Sequence, residues 1–480
     1  MHAELGGMLL IALALTVYIS LVEALARHTT IPAEWSRKLV HLGGGLGCLL
    51  FPLLLDHPLS VLVLAVGFGG GLWLAEKRGW LQCLCRVERQ SRGSVYYPVA
   101  IAALFWLTRD DYGLYMSAVL VLTVADTAAA LVGARFGRIR YRTGGVEECK
   151  SLEGSLAFWL VAFLAVLFPL VGLTQDVTVC QAVFSAFLAA TLLTLVEAVS
   201  IGGRDNLYVP LLAAFLLLKT VTKSVPELAM QSVSIVFLFG LLPVVNHYGR
   251  LLRTKTLMIM SIILYGVWSL GSVDWAVPLL AAILAFMVVY AGTGGEQRRT
   301  LAHRRMVLLA IPAAVLMVLA NLTGMFRFLY ALYLAAVLVP LCFGVVVQLG
   351  RGQTGWRWTW RQLTGVVLAM VAVLAEPVLM RRAPDAASVW FLAAVVLMAV
   401  WLGIGVLAGR TQGTGGAVAV VTVLVAVLLM AAGQSTGLSR SWRPQLWADV
   451  YGREVDVLLP WTRTVDAGEI LEEPSASEEL

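Results

Sequence analysis

Charged residues are scarce in this sequence. Asp, Glu, Lys and Arg make up 13% of the 480 residues, and 60% are hydrophobic, whereas soluble domains carry about 25% charged residues. Nearly uncharged runs at 9–24, 61–74 and 417–432 approach the roughly 20 residues that cross the apolar core of a bilayer. This composition excludes a single large soluble domain and indicates an integral membrane protein.

Cysteine and histidine are also few, with six of each. Cys83 and Cys85 are separated by one residue, which is not the CxxC spacing of a metal site, and Cys48, Cys180 and Cys342 lie inside apolar runs. The sequence therefore predicts neither a disulfide framework nor a zinc site. The N-terminus lacks a basic region and a small-residue cleavage site, so the first apolar run is interpreted as a retained helix.

The apolar runs predict an all-α fold, a polytopic bundle of about 16 transmembrane helices. The predicted spans are 7–25, 39–55, 58–75, 95–108, 112–133, 152–173, 180–200, 206–218, 228–246, 256–271, 275–291, 306–320, 328–348, 362–380, 387–408 and 414–433.

Lysine and arginine are distributed unevenly among the connecting loops. Of the 35, 25 fall in the loops after odd-numbered spans and only 6 in the loops after even-numbered spans. Positive loops face the cytoplasm, so both termini are predicted to lie outside. The net charge of +6 is therefore interpreted as orientation information and not as a nucleic-acid-binding surface.

The polar residues divide the chain into two predicted membrane domains and a tail. Residues 1–225 carry nearly all the polar groups at or inside the predicted spans, and 226–433 form a second helical domain of unknown role. Residues 434–480 are a polar, acidic tail that is predicted to be partly disordered. The oligomeric state is left open.

Asp126 is the clearest candidate for chemistry. It lies within the apolar segment 122–131, about two turns from the cytoplasmic end of the fifth span. Because an ionised side chain inside a membrane is costly, such a residue is a functional candidate, although a carboxylate paired only for packing is the alternative.

A basic loop that contains glycine follows Asp126 and leads into the sixth span. Glycine lets backbone N–H groups approach phosphate oxygens, cations neutralise those oxygens, and a helix N-terminus attracts them further. The loop is not a Walker A motif. Its candidate phosphate-binding residues are Gly133, Arg135, Gly137, Lys150, Ser151 and Gly154.

Further polar residues are predicted at the same membrane face. Taken alone, His41 is as consistent with a buried hydrogen-bonded side chain as with a catalytic one, and Asp205 and Asn206 are consistent with a helix cap. Taken together, three acids and an Asn near a basic loop that contains glycine are the groups that Mg²⁺ and a nucleoside triphosphate need. The members are Arg37, Lys38, His41, Glu197, Asp205 and Asn206.

Six ordered motifs within residues 37–210 carry a resemblance to a known family. They are Arg37–His41, Arg92–Pro98, Ala125–Gly137, Lys150–Ser155, Val196–Ala198 and Asp205–Pro210. In these segments the sequence resembles the phytol kinase/dolichol kinase family of CTP-dependent lipid-alcohol kinases. The resemblance implies phosphoryl transfer, usually from CTP, to an isoprenoid alcohol such as dolichol, polyprenol or phytol.

The resemblance also assigns roles and a location. Asp126, Lys150 and His41 are expected to be catalytic, and Asp126, Glu197 and Asp205 to bind Mg²⁺. The nucleotide or its phosphates are expected to contact Arg37, Lys38, Gly133, Arg135, Gly137, Ser151, Gly154 and Asn206. The site is expected to face the cytoplasm of a bacterial or archaeal cell, with the lipid between the spans.

Three alternatives remain open at this point. A CTP-dependent cytidylyltransferase acting on a lipid phosphate would use similar parts but release pyrophosphate. A transporter would show ionisable residues near the midplane and repeat symmetry. A scaffold with a decayed kinase half is suggested by Ala125 and Ala130, where many family members have Gly and some have an acid, respectively.

Overall fold

The computed structural model gives a helical protein that divides into two compact units, Met1–Tyr265 and Gly266–Leu480. Each unit is described by itself. The predicted domain boundary near residue 225 stays a prediction. The residues described by the structure are 2–81, 83, 93–142, 149–249, 252–271, 273–290, 306, 310–321, 329–330, 332–334 and 336–337.

The apolar runs of the sequence form helices. In chain order these are α1 His2–His28, α2 Ala33–Cys48, α3 Phe51–Leu54, α4 Pro58–Lys77, α5 Gly93–Thr108, α6 Tyr112–Leu120, π1 Val121–Ala125, α7 Asp126–Phe136, α8 Leu152–Leu173, α9 Val179–Val199, α10 Asp205–Thr220, α11 Val225–Gly249, α12 Thr254–Gly271, α13 Val273–Tyr290 and α14 Ala310–Asn321.

Seven helical segments among the described residues are long and apolar enough to cross a membrane. They are Glu4–His28, Pro58–Lys77, Tyr112–Phe136, Leu152–Leu173, Val179–Val199, Val225–His247 and Thr254–Gly271. The helix positions predicted from apolar runs are confirmed here, except that predicted span 39–55 is divided into α2 and α3. The predicted spans 362–380, 387–408 and 414–433, and the tail, lie outside the described residues, as does most of the predicted span 328–348, so the count of sixteen stays a prediction.

Alternate connections of the first unit meet at one end of the bundle. Arg27 in α1 donates a hydrogen bond to the backbone carbonyl of Trp80, which follows α4 (2.8 Å). Lys150, which precedes α8, forms an ion pair with Glu197 near the end of α9 (2.6 Å). Glu76, near the end of α4, lines the same cavity as Lys150 and Glu197, so the ends of α1, α4 and α9 lie on the same side as the start of α8.

The remaining connections meet at the opposite end. The backbone N–H of His57 donates to the Glu4 carboxylate (3.1 Å), which joins the start of α4 to the start of α1. Arg109, after α5, donates to the backbone carbonyl of Asp56 (2.7 Å). Successive long helices thus run in alternating directions, as the alternation of basic loops predicts.

Helix α8 lies at the centre of the first unit. It packs against α6, π1, α7 and α9, and its residues Phe158, Ala162 and Val166 are fully buried. The facing part of α9 is rich in buried alanine, including Ala186 and Ala189. Small side chains allow close approach of helices in a membrane, where burial from water does not drive their association.

A short hairpin interrupts the helical chain between α7 and α8. Strands β1 Arg140–Arg142 and β2 Cys149–Ser151 pair antiparallel, with Tyr141 opposite Lys150. The prediction of a wholly helical fold missed this hairpin, because a three-residue strand leaves no periodic pattern in the sequence. The hairpin carries Lys150 and Ser151, two of the predicted site residues, to the start of α8.

The packing of α11 on α9 predicts where the first unit can be truncated. A fragment ending at residue 225 lacks α11 and exposes the α9 face that it covers, whereas a fragment ending at residue 250 keeps the helix. We expect the shorter fragment to melt at a lower temperature in detergent, because buried α11 residues such as Leu228 and Ile235 lose their contacts. Equal melting temperatures would contradict this expectation.

Candidate active site

A cavity of about 510 Å³ opens among the helices at the end of the first unit where the basic connections meet. Its walls come from α1, α2, α3, α4, α5, α7, α8, the end of α9, the start of α10, the turn before it and the hairpin. The predicted site residues that line it are Arg37, Lys38, His41, Asp126, Gly133, Lys150, Ser151, Gly154, Glu197, Asp205 and Asn206. Residues separated by up to 169 positions in the sequence are thus brought to one cavity.

Asp126 is held by two basic residues from α2. Its Oδ2 atom lies 2.5 Å from Lys38 Nζ and 3.2 Å from His41 Nε2. Only 5% of the Lys38 side chain and 16% of the Asp126 side chain are exposed. A buried charge needs a partner and hydrogen bonds to be tolerated, and both contacts are made by Oδ2. Among the described residues, Oδ1 forms no hydrogen bond, which leaves this oxygen for a ligand.

The segment before Asp126 is a π-helical turn, Val121–Ala125. Its wider winding disturbs the i→i−4 bonding, and the carbonyl oxygen of Leu122 lies 2.8 Å from His41 Nε2. An imidazole nitrogen that faces a carbonyl must carry hydrogen, so Nε2 is the protonated nitrogen of His41. The turn therefore orients both Asp126 and the histidine that contacts it.

Lys150 and Glu197 form a second ion pair in the cavity. Their Nζ and Oε1 atoms are 2.6 Å apart, with 16% and 10% of the side chains exposed, and Lys150 also donates to the backbone carbonyl of Glu197. Burial alone would lower the pKa of Lys150, but the carboxylates of Glu197 and Asp205 outweigh it and raise that pKa above its usual value. Lys150 is therefore a fixed positive charge at neutral pH.

The glycines of the basic loop allow two helices to approach closely. A Cβ atom on Gly154 would lie 2.9 Å from the carbonyl oxygen of Ala129 and 3.2 Å from the Cα of Gly133. Ser151 caps α8 by accepting a hydrogen bond from Gly154 N–H (3.1 Å). Gly137 N–H donates to the Gly133 carbonyl (3.1 Å). The glycines serve close packing here, and their predicted contact with phosphate stays a prediction.

A tight turn places Asp205 and Asn206 at the cavity. Gly202 and Gly203 adopt φ values of 67° and 78°, a conformation that glycine accepts at no steric cost. The turn ends at Arg204 and α10 begins with Asp205, whose carboxylate accepts a hydrogen bond from Asn206 N–H (3.2 Å). Asn206 is buried. Both residues belong to the first turn of α10, which places them beside the cavity.

Two predicted residues do not line the cavity. The guanidinium of Arg135 lies over the Phe136 ring, 5.5 Å from its centroid, and the side chain is exposed. Gly137 ends α7 behind Ser151. Helical periodicity explains the difference for Arg135, since Gly133 and Ala134 are the last α7 residues that face the cavity. Arg140 of β1 lines the cavity instead.

Several cavity residues were missed as site residues by sequence reasoning. Tyr97 packs edge-on against His41, with ring centroids 4.7 Å apart, and Glu76 accepts a hydrogen bond from Ser94 (2.6 Å). Ser94 and Tyr97 belong to the motif Arg92–Pro98, so that motif was the available signal. Glu76 has no such signal in the sequence, because its position depends on how α4 packs.

The carboxylates of the cavity fit a metal ion that arrives with a nucleotide. Within the part of the chain that the structure describes, no three His, Cys, Asp or Glu side chains are grouped closely enough to hold a metal by themselves. Mg²⁺ is usually bound through one or two carboxylates together with substrate phosphates. Asp126, Glu197 and Asp205 all line the cavity and provide such oxygens beside cations that attract phosphate.

One comparison decides the family. Over 201 residues the sequence is 36% identical to phytol kinase from Synechocystis sp. (strain ATCC 27184 / PCC 6803 / Kazusa), and the match covers 40% of this chain and 82% of that protein. The chain belongs to the phytol kinase family. No family model and no solved structure matches the sequence. Family membership agrees with the resemblance carried by the six motifs, each of which contributes at least one residue to the cavity.

The close contact between α7 and α8 predicts a sensitive position. Gly154→Ala places a methyl group against the Ala129 carbonyl and forces the two helices apart, which we expect to destabilise the protein by about 1–3 kcal/mol. Gly172→Ala, on the same helix with no atom within 4 Å of the added carbon, is the matched control. The measurement is the melting temperature in detergent, and similar values for the two variants would contradict the packing role.

Proposed function

We propose that this protein is a membrane kinase that transfers the γ-phosphoryl group of CTP to the hydroxyl of an isoprenoid alcohol. One observation carries the proposal: a single cavity joins a charged end to an apolar arm. Its charged end holds Lys38, Asp126 and Lys150, and its arm contains Phe68 and Ile101. A kinase for a lipid alcohol must bring a water-soluble nucleotide and an apolar tail to the same point.

The relative supports the acceptor and the residues support the reaction type. The Synechocystis protein is a phytol kinase, and phytol is an isoprenoid alcohol. Phosphoryl transfer depends mainly on positioning and on neutralising phosphate charge. Arg37, Lys38 and Lys150 supply that charge, and Asn206 supplies a buried amide at the same cavity.

Asp126 is the group that we assign to the acceptor hydroxyl. In the reaction the alcohol oxygen attacks the γ-phosphorus, the bond from that phosphorus to the β,γ-bridging oxygen breaks, and CDP leaves with the bonding electron pair. The alcohol proton passes to the Asp126 carboxylate. Lys38 and His41 hold Oδ2 of this carboxylate in place, so Oδ1 faces the substrate.

Mg²⁺ would be held at the charged end by oxygens of Asp205 and Glu197, with Asp126 beside them, and by the phosphates of the nucleotide. When bound, it would neutralise charge that develops on the β- and γ-phosphate oxygens. In the structure, the Glu197 carboxylate forms an ion pair with Lys150. Nucleotide binding would therefore let Lys150 turn to a phosphate while Glu197 turns to the metal.

The distribution of basic loops supports a cytoplasmic site. The cavity lies at the end of the bundle where the connections after α1, α4, α7 and α9 meet, and these connections together with the helix ends that flank them carry most of the Lys and Arg of the first unit. Cytoplasmic loops carry the excess of Lys and Arg, and CTP is available in the cytoplasm. The proposal retains sixteen spans with both termini outside.

The decisive test is an assay of the purified full chain with Mg²⁺, labelled CTP or ATP, and phytol. We expect phytyl phosphate and CDP. Asp126→Asn keeps the size of the side chain but removes the proton acceptor, and we expect turnover to fall by at least ~10²-fold. Glu23→Gln is the matched control, because Glu23 is a buried carboxylate paired with Arg27 (2.6 Å) that does not line the cavity.

Three outcomes would contradict the proposal. Release of pyrophosphate from CTP with a lipid phosphate as acceptor would make the protein a cytidylyltransferase. Near-normal turnover in a folded Asp126→Asn variant would remove the assigned base. A folded protein that shows no turnover and binds neither nucleotide nor alcohol would favour the scaffold alternative.

Topology gives a separate test. In a background with all six native cysteines replaced by serine, a cysteine in place of Arg138 lies near the cavity end and one in place of Asp110 lies at the opposite end, and both positions are exposed. We expect an impermeant thiol reagent to label the position 110 variant in intact cells and the position 138 variant only after the membrane is opened. The reverse pattern would place the site outside the cell and exclude a cytoplasmic nucleotide.

A further inference from the structure

A carboxylate and a hydroxyl lie together at the charged end of the cavity, and the proposed phosphoryl transfer uses neither. Glu76, near the end of α4, and Ser94, in the first turn of α5, both line the cavity. The Ser94 hydroxyl donates a hydrogen bond to Oε2 of Glu76 (2.6 Å), and both side chains are partly buried. These two residues form the Glu76–Ser94 pair, which places oxygen atoms of two kinds side by side in the cavity wall.

Helix α5 connects this pair to the reacting centre. Ser94 and Tyr97 are three residues apart, so they lie on the same face of α5 about one turn from each other. The Tyr97 ring packs edge-on against His41, with 4.7 Å between centroids, and His41 Nε2 lies 3.2 Å from Asp126 Oδ2. Because Ser94 is in the first turn of α5, it lies on the side of Tyr97 that faces the end of the bundle where the basic connections meet. A nucleotide entering from that end would pass the Glu76–Ser94 pair before its γ-phosphate reaches Asp126.

The charge of Glu76 determines which part of a nucleotide it can contact. A carboxylate repels phosphate and only accepts hydrogen bonds. The cations that line the cavity come from other elements: Arg37 and Lys38 from α2, and Arg140 and Lys150 from the hairpin. The phosphates of a nucleotide therefore belong beside α2 and the hairpin, and an uncharged part that donates hydrogen bonds belongs beside α4 and α5.

The Glu76–Ser94 pair fits two neighbouring hydroxyl groups. A carboxylate offers about four acceptor positions, and Ser94 uses one of them, so Glu76 can accept from a further hydroxyl. The Ser94 oxygen can keep its donation to Glu76 and accept from a second hydroxyl through its own lone pairs. In a nucleoside triphosphate the two ribose hydroxyls are such neighbours, and the ribose lies closer to the phosphates than the edge of the base does. Carboxylates bind ribose hydroxyls in the same way in dinucleotide-binding proteins.

We propose that the Glu76–Ser94 pair binds the ribose hydroxyls of the donor nucleotide and so turns its phosphates toward the cations of α2 and the hairpin. This assignment rests on the proposed kinase function and deepens it, because it gives the donor a fixed orientation. The hydroxyls are common to all ribonucleotides, so the pair selects for the sugar and not for the base.

The test measures nucleotide binding by the purified full chain in detergent with Mg²⁺ and no alcohol. The ligands are CTP and ATP, each beside its 2′,3′-dideoxy form. We expect the dideoxy form to bind at least about tenfold more weakly than its parent, because a hydrogen bond to a charged group is lost. Equal dissociation constants for the ribose and dideoxy forms in the wild type would overturn the assignment.

Variants locate the effect. In Glu76→Ala we expect CTP to bind at least about tenfold more weakly than in the wild type, with dideoxy-CTP nearly unchanged, because only the hydroxyls lose a partner. Glu227→Ala is the matched control. Glu227 also accepts a hydrogen bond from a serine, Ser224 (2.7 Å), but it follows the end of α10 and so lies at the end of the bundle opposite to the cavity.

Ser94→Ala is a second variant, and we expect it to weaken CTP more than dideoxy-CTP. A folded Glu76→Ala variant that keeps the full difference between CTP and dideoxy-CTP would contradict the assignment. So would one that weakens both forms equally, or one that changes only the preference for CTP over UTP, since the pair would then act on the fold or on the base.

These binding measurements do not depend on turnover. If no alcohol is phosphorylated, the kinase proposal fails, yet the difference between ribose and dideoxy nucleotides still tests the pair. If phytol is phosphorylated with CTP and dideoxy-CTP at the same kcat/KM, the kinase function stands and the assignment of the Glu76–Ser94 pair is wrong.

Discussion

Charges buried among apolar helices must be paired, and this constraint organises the first unit. Two ion pairs satisfy this constraint: Lys38 with Asp126, and Lys150 with Glu197. The partners are 88 and 47 residues apart in the chain, so each pair ties distant elements together. Removing one partner of a buried pair leaves an uncompensated charge and costs about 3–5 kcal/mol. The same pairs therefore hold α2, α7, α9 and the hairpin around a cavity whose charges suit phosphate.

Placing these pairs at one end of the bundle creates a gradient of polarity along the cavity. Charged and polar side chains occupy the end where basic loops gather, and the apolar arm is lined by core residues such as Phe51 and Leu64. The gradient matches the problem of a lipid-alcohol kinase, in which the reacting hydroxyl lies at the boundary between water and lipid. In the proposed reaction a nucleotide would approach from the charged side and an isoprenoid tail would occupy the apolar side, so neither would have to cross an unfavourable medium.

The sequence predicted those features that depend on local composition. Apolar runs located the helices of residues 1–225, and the rarity of charge in such runs singled out Asp126 and Glu197. The sequence did not predict which cation pairs with which carboxylate, since that depends on contacts across tens of residues. It also missed Glu76, and it assigned Arg135 to the cavity from its place in a basic loop, although helical rotation points that side chain away. The role of Gly154 differs as well, because close packing between α7 and α8 is visible only once both helices are placed.

The π turn before Asp126 answers the question raised by Ala125. Where many family members have glycine, this chain has alanine, and a glycine would matter if the backbone needed a positive φ. Ala125 instead has φ −67° and ψ −43°, an ordinary helical conformation, and its side chain is fully buried. The widened turn itself turns the Leu122 carbonyl toward His41 and leaves Asp126 at the start of the next helix. Since any residue with a small side chain satisfies this geometry, the alanine is compatible with the site.

The sequence departure that bears on chemistry is then Ala130 alone, which lines the cavity one helical turn beyond Asp126. With no acid there, the other carboxylates assigned to the proposed Mg²⁺ site come from other elements, Glu197 on α9 and Asp205 on α10, and both line the cavity. The turn of Gly202 and Gly203 leads into Asp205, so the proposed site depends on this turn as well as on the helix that carries Asp126.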